Sequence, residues 1–262
     1  MSPRAKPRRG ATGGATDEWE ANASWWQRTF TDGADPEYEE QILPLVETWL
    51  SGRSRVVDIG TGEGQVARRL SDAGVPLVVG LDPTPAQIRE ARRRGGGPCF
   101  ARAEATKLPL ADASVDGAVA CLVFEHLDDL DGAIAEVARV LVPGGRFVLL
   151  MNHPLLQTPG SGWIDDQILD PPEQYWRVGP YLPEAANVEQ FDAGVTIRFV
   201  HRPLGRYLNT MIDAGLDLER FVEPVPPPGF LALAPEYTEA ADIPRLALLV
   251  MRRRPGGQPV AQ

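Results

Sequence analysis

The sequence predicts an α/β fold built on a doubly wound, mostly parallel sheet of seven strands, Rossmann-like in plan, and three observations carry that prediction. Short apolar runs rich in Val, Ile and Leu alternate with stretches of helical periodicity from about residue 53 onward. The first run ends in a glycine-rich turn, Asp58-Ile59-Gly60-Thr61-Gly62-Glu63-Gly64, and passes straight into an amphipathic helix carrying Val66, Ala67 and Leu70. An acid stands at or just beyond the close of each of the first three runs, where ligands gather in sheets of this kind.

The elements follow in order. Residues 19–50 read as helical, with Trp25, Trp26, Phe30, Ile42, Leu45, Val46 and Trp49 at helical spacing and a break near Gly33 to Pro36. After the glycine turn, Leu77 to Asp82 is a short strand, and Pro83 and Pro85 open the next helix. A strand near Cys99 to Ala101, another over 115–123, a helix around Ile134 to Leu141 and a Val142-Pro143-Gly144-Gly145 turn lead to a strand over 146–151. Strand-like Val195 to Val200, a helix over 203–214 and strands over 216–222 and 245–251 complete the chain, the last two completing the seven-stranded sheet.

Between Pro154 and Gln190 the rhythm breaks, and Pro, Gly, Trp and Tyr accumulate. An aromatic-rich insertion after the fifth strand suits a lid or acceptor pocket, or a surface excursion whose aromatics only pack it down. The expected organisation is a single domain over 17–251: a helical cap at 17–50, a ligand-binding core at 53–151, the insertion at 154–190, and the C-terminal half of the sheet at 195–251. Residues 1–16 and 252–262 read as disordered tails, basic in character.

Those tails hold 7 of the 26 Lys and Arg residues and none of the 36 acids. The body between them is strongly acidic, which disfavours a nucleic-acid partner, because such binding depends on neutralising phosphates. No apolar run approaches the roughly 18 residues of a membrane span. Cys99 and Cys121 are the only cysteines, too few for a disulfide framework or zinc cluster, and a reducing cytoplasm is expected. A metal requirement is not expected, since no His, Cys and Asp residues fall at ligand spacing.

The turn itself disfavours a dinucleotide. A G-x-G-x-x-G fingerprint places its third glycine one residue later, and Asp58 would repel a pyrophosphate while suiting an ammonium group. A nicotinamide-dependent dehydrogenase is therefore disfavoured. Asp82, 24 residues after Asp58, can accept both hydroxyls of a ribose, and Glu104 with the Ala105 N–H can meet an adenine. An acid at a strand end also serves as a helix cap or a solvated loop charge.

The D-x-G-x-G-x-G segment resembles the first motif of the class I S-adenosylmethionine-dependent methyltransferases. Further resemblance lies in Asp82, Glu104, Leu108-Pro109-Leu110 with Ser114-Val115-Asp116, Phe124-Glu125-His126-Leu127, and Arg139 to Gly145. It spans roughly residues 53–151. The resemblance implies S-adenosyl-L-methionine as cofactor, held by Asp58, Gly60, Thr61, Gly62, Gly64, Asp82, Pro83, Glu104, Ala105 and Leu122. The second half of the chain is similar to bacterial small-molecule methyltransferases of quinone and secondary-metabolite pathways.

Cys121-Leu122-Val123-Phe124 stands where methyltransferases of exocyclic base nitrogens carry an Asn/Asp-Pro-Pro-aromatic segment, so that class is disfavoured, and Asp170-Pro171-Pro172 reads as a turn. The expected activity is methyl transfer to oxygen, less readily nitrogen or carbon, of a small organic acceptor, by a monomer or homodimer. The alternative is a non-catalytic scaffold or regulator that binds the same cofactor. His201 and His153 are the catalytic candidates, as bases near neutral pH; His126 reads as support for the cofactor site. Trp26, Trp163, Tyr175 and Tyr181 are the acceptor-side candidates.

Overall fold

The computed structural model describes residues 15–234, 238 and 241–256. Helix α1 (Ala15–Thr29) leads through a turn with left-handed Asp32 and Gly33 into a π-helical turn over Tyr38–Ile42 and α2 (Leu43–Leu50). The core alternates β1 (Arg55–Ile59), α3 (Gln65–Asp72), β2 (Leu77–Asp82), α4 (Pro85–Arg94) and β3 (Cys99–Arg102). Next come β4 (Val115–Cys121), a 3₁₀ turn at Phe124–His126, α5 (Leu130–Val140) and β5 (Leu141–Asn152).

Two antiparallel hairpins follow, β6 (Gly162–Asp166) with β7 (Glu173–Arg177) and β8 (Ala185–Asp192) with β9 (Val195–His201). The chain then returns to the sheet through α6 (Leu204–Asp213), β10 (Leu216–Val222), α7 (Pro228–Leu233) and β11 (Leu246–Arg253).

The main sheet has seven strands in the order β10-β11-β5-β4-β1-β2-β3. β1 through β5 run parallel, while β11 lies antiparallel to both β5 and β10. Winding proceeds outward in both directions from β1 and β4, so their carboxyl ends diverge into a crevice. Alternation along each strand divides the apolar residues between two faces. Ile59, Ala118, Ala120 and Leu149 meet Ile134 and Val137 of α5 on one face. Val56, Val78, Val119 and Val148 meet Leu50, Leu70 and Ile88 from α2, α3 and α4 on the other.

Two expectations need correction. The strand near 195–200 does not join the main sheet: it pairs only with β8, from Ala185 opposite His201 to Asp192 opposite Val195. Its buried Ile197 and Phe199 have another surface to cover, because Asn22 of α1 donates to the Thr196 carbonyl (2.8 Å) and His126 packs on the Phe199 ring. The C-terminal tail does not begin at Arg252. Arg252 and Arg253 belong to β11, and Arg254 meets Asp217 at 2.7 Å. The tail readings for 1–14 and 257–262 lie outside the described residues. The Asp170-Pro171-Pro172 segment lies in the connection between β6 and β7.

Gly64, at φ +91°, starts α3, and a Cβ there would fall 2.6 Å from the Phe100 ring. Gly144, at φ +77°, has nothing within 4 Å of the same point. Gly64→Ala should therefore cost about 2–4 kcal/mol, left-handed strain plus displacement of Phe100, and Gly144→Ala only about 1–2 kcal/mol. Urea unfolding of both variants checks this; equal losses would show that Phe100 imposes no constraint.

Candidate active site

The crevice holds a cleft at the carboxyl ends of β1, β2, β3 and β4. Its floor is the glycine turn, tied to β2 because the Leu81 carbonyl accepts both the Gly60 N–H (2.7 Å) and the Thr61 N–H (3.0 Å). Gly60 has φ +72°, and a Cβ there would come within 2.3 Å of Val123. At Gly62, φ +55°, the nearest neighbour of such an atom would be Trp26 Nε1 at 3.9 Å. Any side chain on Gly62 would therefore occupy the cleft. Gly64 does not line it; it sits beneath, against Phe100.

Four acids surround this floor. Asp58 is buried, accepts the Thr61 hydroxyl at 2.6 Å, and is pushed up to about 7 by burial, with Asp82 and Glu63 adding repulsion. Asp82 is also buried; its two oxygens accept the Gly62 N–H (2.9 Å) and the Thr84 N–H (2.8 Å), and burial raises it too. These bonds leave lone pairs on both oxygens. Glu63 points away to Arg68 and to Arg94 (3.1 Å), which neutralise it. Glu104 stays exposed at the rim, and Pro83 and Ala105 complete that side.

On the β4 side, Leu122 adopts φ +56°, a strained conformation for a branched side chain, and its N–H donates to the Leu150 carbonyl (2.8 Å). It lines the cleft beside Val123. Trp26, from α1, closes the cleft over Gly62 and also faces a second cavity of about 380 Å³. Trp19, Tyr38, Leu122 and His126 are the other walls common to both spaces. None of these four was assigned to the acceptor from sequence. Trp19 and Trp26 lie seven residues apart on α1, a helical spacing that places their rings 5.5 Å apart and carries the only signal that could have paired them.

Several predicted residues lie elsewhere. His201 is buried outside both spaces: its Nε2–H donates to the Tyr181 carbonyl (2.7 Å), while the Tyr181 hydroxyl caps α6 by accepting the Leu204 N–H (2.8 Å). His153 also lies outside; its Nδ1 accepts the Leu155 N–H, and its Nε2 faces Glu223 at 3.0 Å. Trp163 and Tyr175 sit on the β6–β7 hairpin away from the cavity, whereas Trp176 of the same hairpin lines it. The expected placement of His201 and His153 at the active-site rim is thus corrected: neither ring lines the cleft or the cavity. His126 replaces them as the histidine at the junction. Burial lowers it to about 4, keeping it neutral.

Glu125, next to His126, is likewise buried and raised to about 7, with Asn152 donating to it. A carboxyl raised from its ordinary value near 4 holds its proton in the folded chain after the unfolded chain has lost it. Its contribution to stability therefore falls as pH rises from about 4 to about 7 and is level above. Neutral His126 has the opposite slope below about 6.5, so the wild-type curve mixes both signs. Asp58→Asn should isolate one: relative to wild type, its melting temperature should rise between pH 5 and pH 8. A pH-independent difference would show that Asp58 titrates normally.

A family model described as a methyltransferase domain matches residues 57–149. The chain is 36% identical over 113 residues to the demethylmenaquinone methyltransferase of Deinococcus radiodurans, covering 41% of this chain and 45% of that protein. It is 36% identical over 133 residues to O-methyltransferase rstn1 of Aspergillus nomiae, covering 43% of this chain and 59% of that protein. It spans about half the length of the curated relatives it matches. Among solved structures, one from Listeria monocytogenes, a putative S-adenosylmethionine-dependent methyltransferase, shares the fold with a TM-score of 0.70 at 21% identity, covering 83% of this chain and 97% of that one. An S-adenosylmethionine-dependent methyltransferase from Mesorhizobium loti aligns with a TM-score of 0.68 and 30% identity over 80% of this chain and 96% of its own. With that coverage, and with the glycine turn and strand-end acids arranged as described, the chain belongs to the S-adenosylmethionine-dependent methyltransferases.

Proposed function

We propose that this chain transfers the methyl group of S-adenosylmethionine to an oxygen, less readily a nitrogen or carbon, of a small organic acceptor in the cytoplasm. The supporting observation is the adjacency of two unlike spaces: an acid-lined cleft over a glycine turn shares Trp19, Trp26, Tyr38, Leu122 and His126 with an aromatic cavity. The cofactor supplies an electrophilic methyl on a sulfonium. The protein's work is then to bind, align and exclude water.

The cleft fits that cofactor on its own chemistry. Gly62 leaves room for a ligand against bare backbone, Asp82 retains lone pairs for a ribose, and Glu104 stands at the rim for an adenine amine. Asp58 offers a buried carboxylate to the ammonium of the methionine end. In this reading α1 and the hairpins after β5 wall the acceptor side. The acidic body argues for a small molecule over nucleic acid.

Asp82→Ala should weaken S-adenosylhomocysteine binding about ten- to a hundredfold by calorimetry, the loss of a charge-assisted contact. Unchanged affinity in the folded variant overturns the cleft assignment. Release of S-adenosylhomocysteine with acceptors present distinguishes turnover from mere binding.

Asp58 adds a pH dependence. An ammonium binds the ionised carboxylate, and Asp58 ionises at about 7, so cofactor affinity should strengthen from pH 5.5 to about 7 and then level. Asp58→Asn should bind more weakly at pH 8 and lose this dependence. An affinity that falls with rising pH would place the ammonium elsewhere.

A further inference from the structure

The second cavity is bounded by a closed circuit of rings. Trp19 meets Trp26 at 5.5 Å between centroids, Trp26 meets Phe30 at 4.4 Å, and Phe30 meets Trp25 at 5.3 Å, all within α1 and the turn after it. The circuit crosses to the β8–β9 hairpin from Trp25 to Phe191 at 5.7 Å and passes to Phe199 at 6.0 Å. It returns through His126, 4.6 Å from Phe199 and 5.0 Å from Trp19. All seven rings line the cavity. Such walls favour a flat, apolar guest offering faces and edges to stack.

Three polar atoms on these walls select among flat guests. His126 Nδ1 lies 2.8 Å from the Arg198 carbonyl, which can only accept, so Nδ1 carries the proton and Nε2 presents a lone pair. Nε2 has no hydrogen-bond partner among the described residues. Trp176 Nε1 and Asn187 Oδ1 are buried and also lack partners. The Asn187 amide is oriented by Glu189, whose Oε1 must accept from Nδ2 (2.8 Å), leaving Oδ1 as the free acceptor. Asn187 is the register partner of Phe199, whose ring touches His126. His126 and Asn187 thus both neighbour Phe199 on the cavity wall.

The charged groups of the cavity are already paired. Glu189 Oε1 accepts from both Gln157 (2.8 Å) and Asn187, and Glu37 takes two bonds from Arg245. Asp35 accepts the Glu37 N–H at 2.9 Å and is raised by burial. Arg245, the cavity's cation, is engaged by Glu37, which disfavours a carboxylate guest, because it would have to displace that partner.

We propose that the ringed cavity binds a flat aromatic acceptor whose hydroxyl donates to His126 Nε2 while a ring carbonyl meets Trp176 Nε1–H and an N–H or O–H meets Asn187 Oδ1. The inference rests on the methyl-transfer reading and narrows its acceptor class. His126 faces both spaces, so a hydroxyl bonded to it lies at their junction, beside the cleft that would hold the methyl donor.

The test uses 6-hydroxyquinolin-2(1H)-one, which carries the hydroxyl, carbonyl and N–H on one planar frame, with binding read by quenching of tryptophan fluorescence. Full-length protein loaded with S-adenosylhomocysteine should bind it. The lactone analogue 6-hydroxycoumarin, lacking the N–H, should bind about tenfold more weakly. Trp176→Phe should weaken the quinolone about five- to tenfold, and Asn187→Leu should weaken it similarly and abolish discrimination between lactam and lactone. Both substitutions lie on hairpins outside the main sheet, so loss of folding does not cloud the outcome.

Absence of quinolone binding at millimolar concentration, equal binding of lactam and lactone by wild type, or no loss in either variant overturns the proposal. Tighter binding of 2-naphthylmethylammonium also overturns it, in favour of an amine acceptor. Calorimetry with S-adenosylhomocysteine on the same samples separates the two levels: intact cofactor binding with a failed quinolone series rejects the acceptor class alone, while failed cofactor binding rejects the methyl-transfer reading.

Discussion

The site depends on one constraint: the chain leaving β1 must cross to the end of β2 without side chains in its way. The Leu81 carbonyl draws in the Gly60 and Thr61 N–H groups together, and that closeness leaves no space for a Cβ between Gly60 and Val123, or between Gly64 and Phe100. Holding the turn flat brings Asp58, Asp82 and the free face of Gly62 to one place. It also fixes where α3 begins.

The same compression gathers acids. Burial raises both Asp58 and Asp82, with Asp82 repelling Asp58 and Glu104 repelling Asp82, a cost that a cationic ligand relieves. Glu63 would add to the crowding but is turned out to Arg68 and Arg94. Charge in the interior of the cleft is thus concentrated on Asp58 and Asp82, with Glu104 at the exposed rim. A sulfonium cofactor bearing an ammonium suits this better than a pyrophosphate would.

On the acceptor side the governing interaction is aromatic packing between distant parts of the chain. α1 supplies Trp19, Trp25 and Trp26, the hairpin after β7 supplies Phe191 and Phe199, and His126 from the end of β4 closes the gap. β9 pairs in a hairpin with β8 and packs against α1. The Asn22 bond to the Thr196 carbonyl holds the two together.

The sequence by itself determined the doubly wound sheet and placed nine of its ten cofactor candidates on the cleft. Both are local: apolar runs, glycine spacing and an acid at each strand's end are read within a few residues, and parallel winding brings successive strand ends to one edge. Only Gly64 departed, because its role is to clear Phe100, a neighbour 36 residues away in β3 that no local pattern shows. The histidines and acceptor residues were decided by tertiary structure. His126, His153 and His201 all stand at or just after strand ends and look alike in sequence; which ring faces the cleft and cavity depends on long-range packing, with the carbonyls of Arg198 and Tyr181, the N–H of Leu155 and the carboxylate of Glu223 orienting the three. Likewise Trp176 faces the cavity while Trp163, its register partner on the same hairpin, does not line it. That choice belongs to how the hairpin docks, and docking is a long-range property the local pattern does not encode.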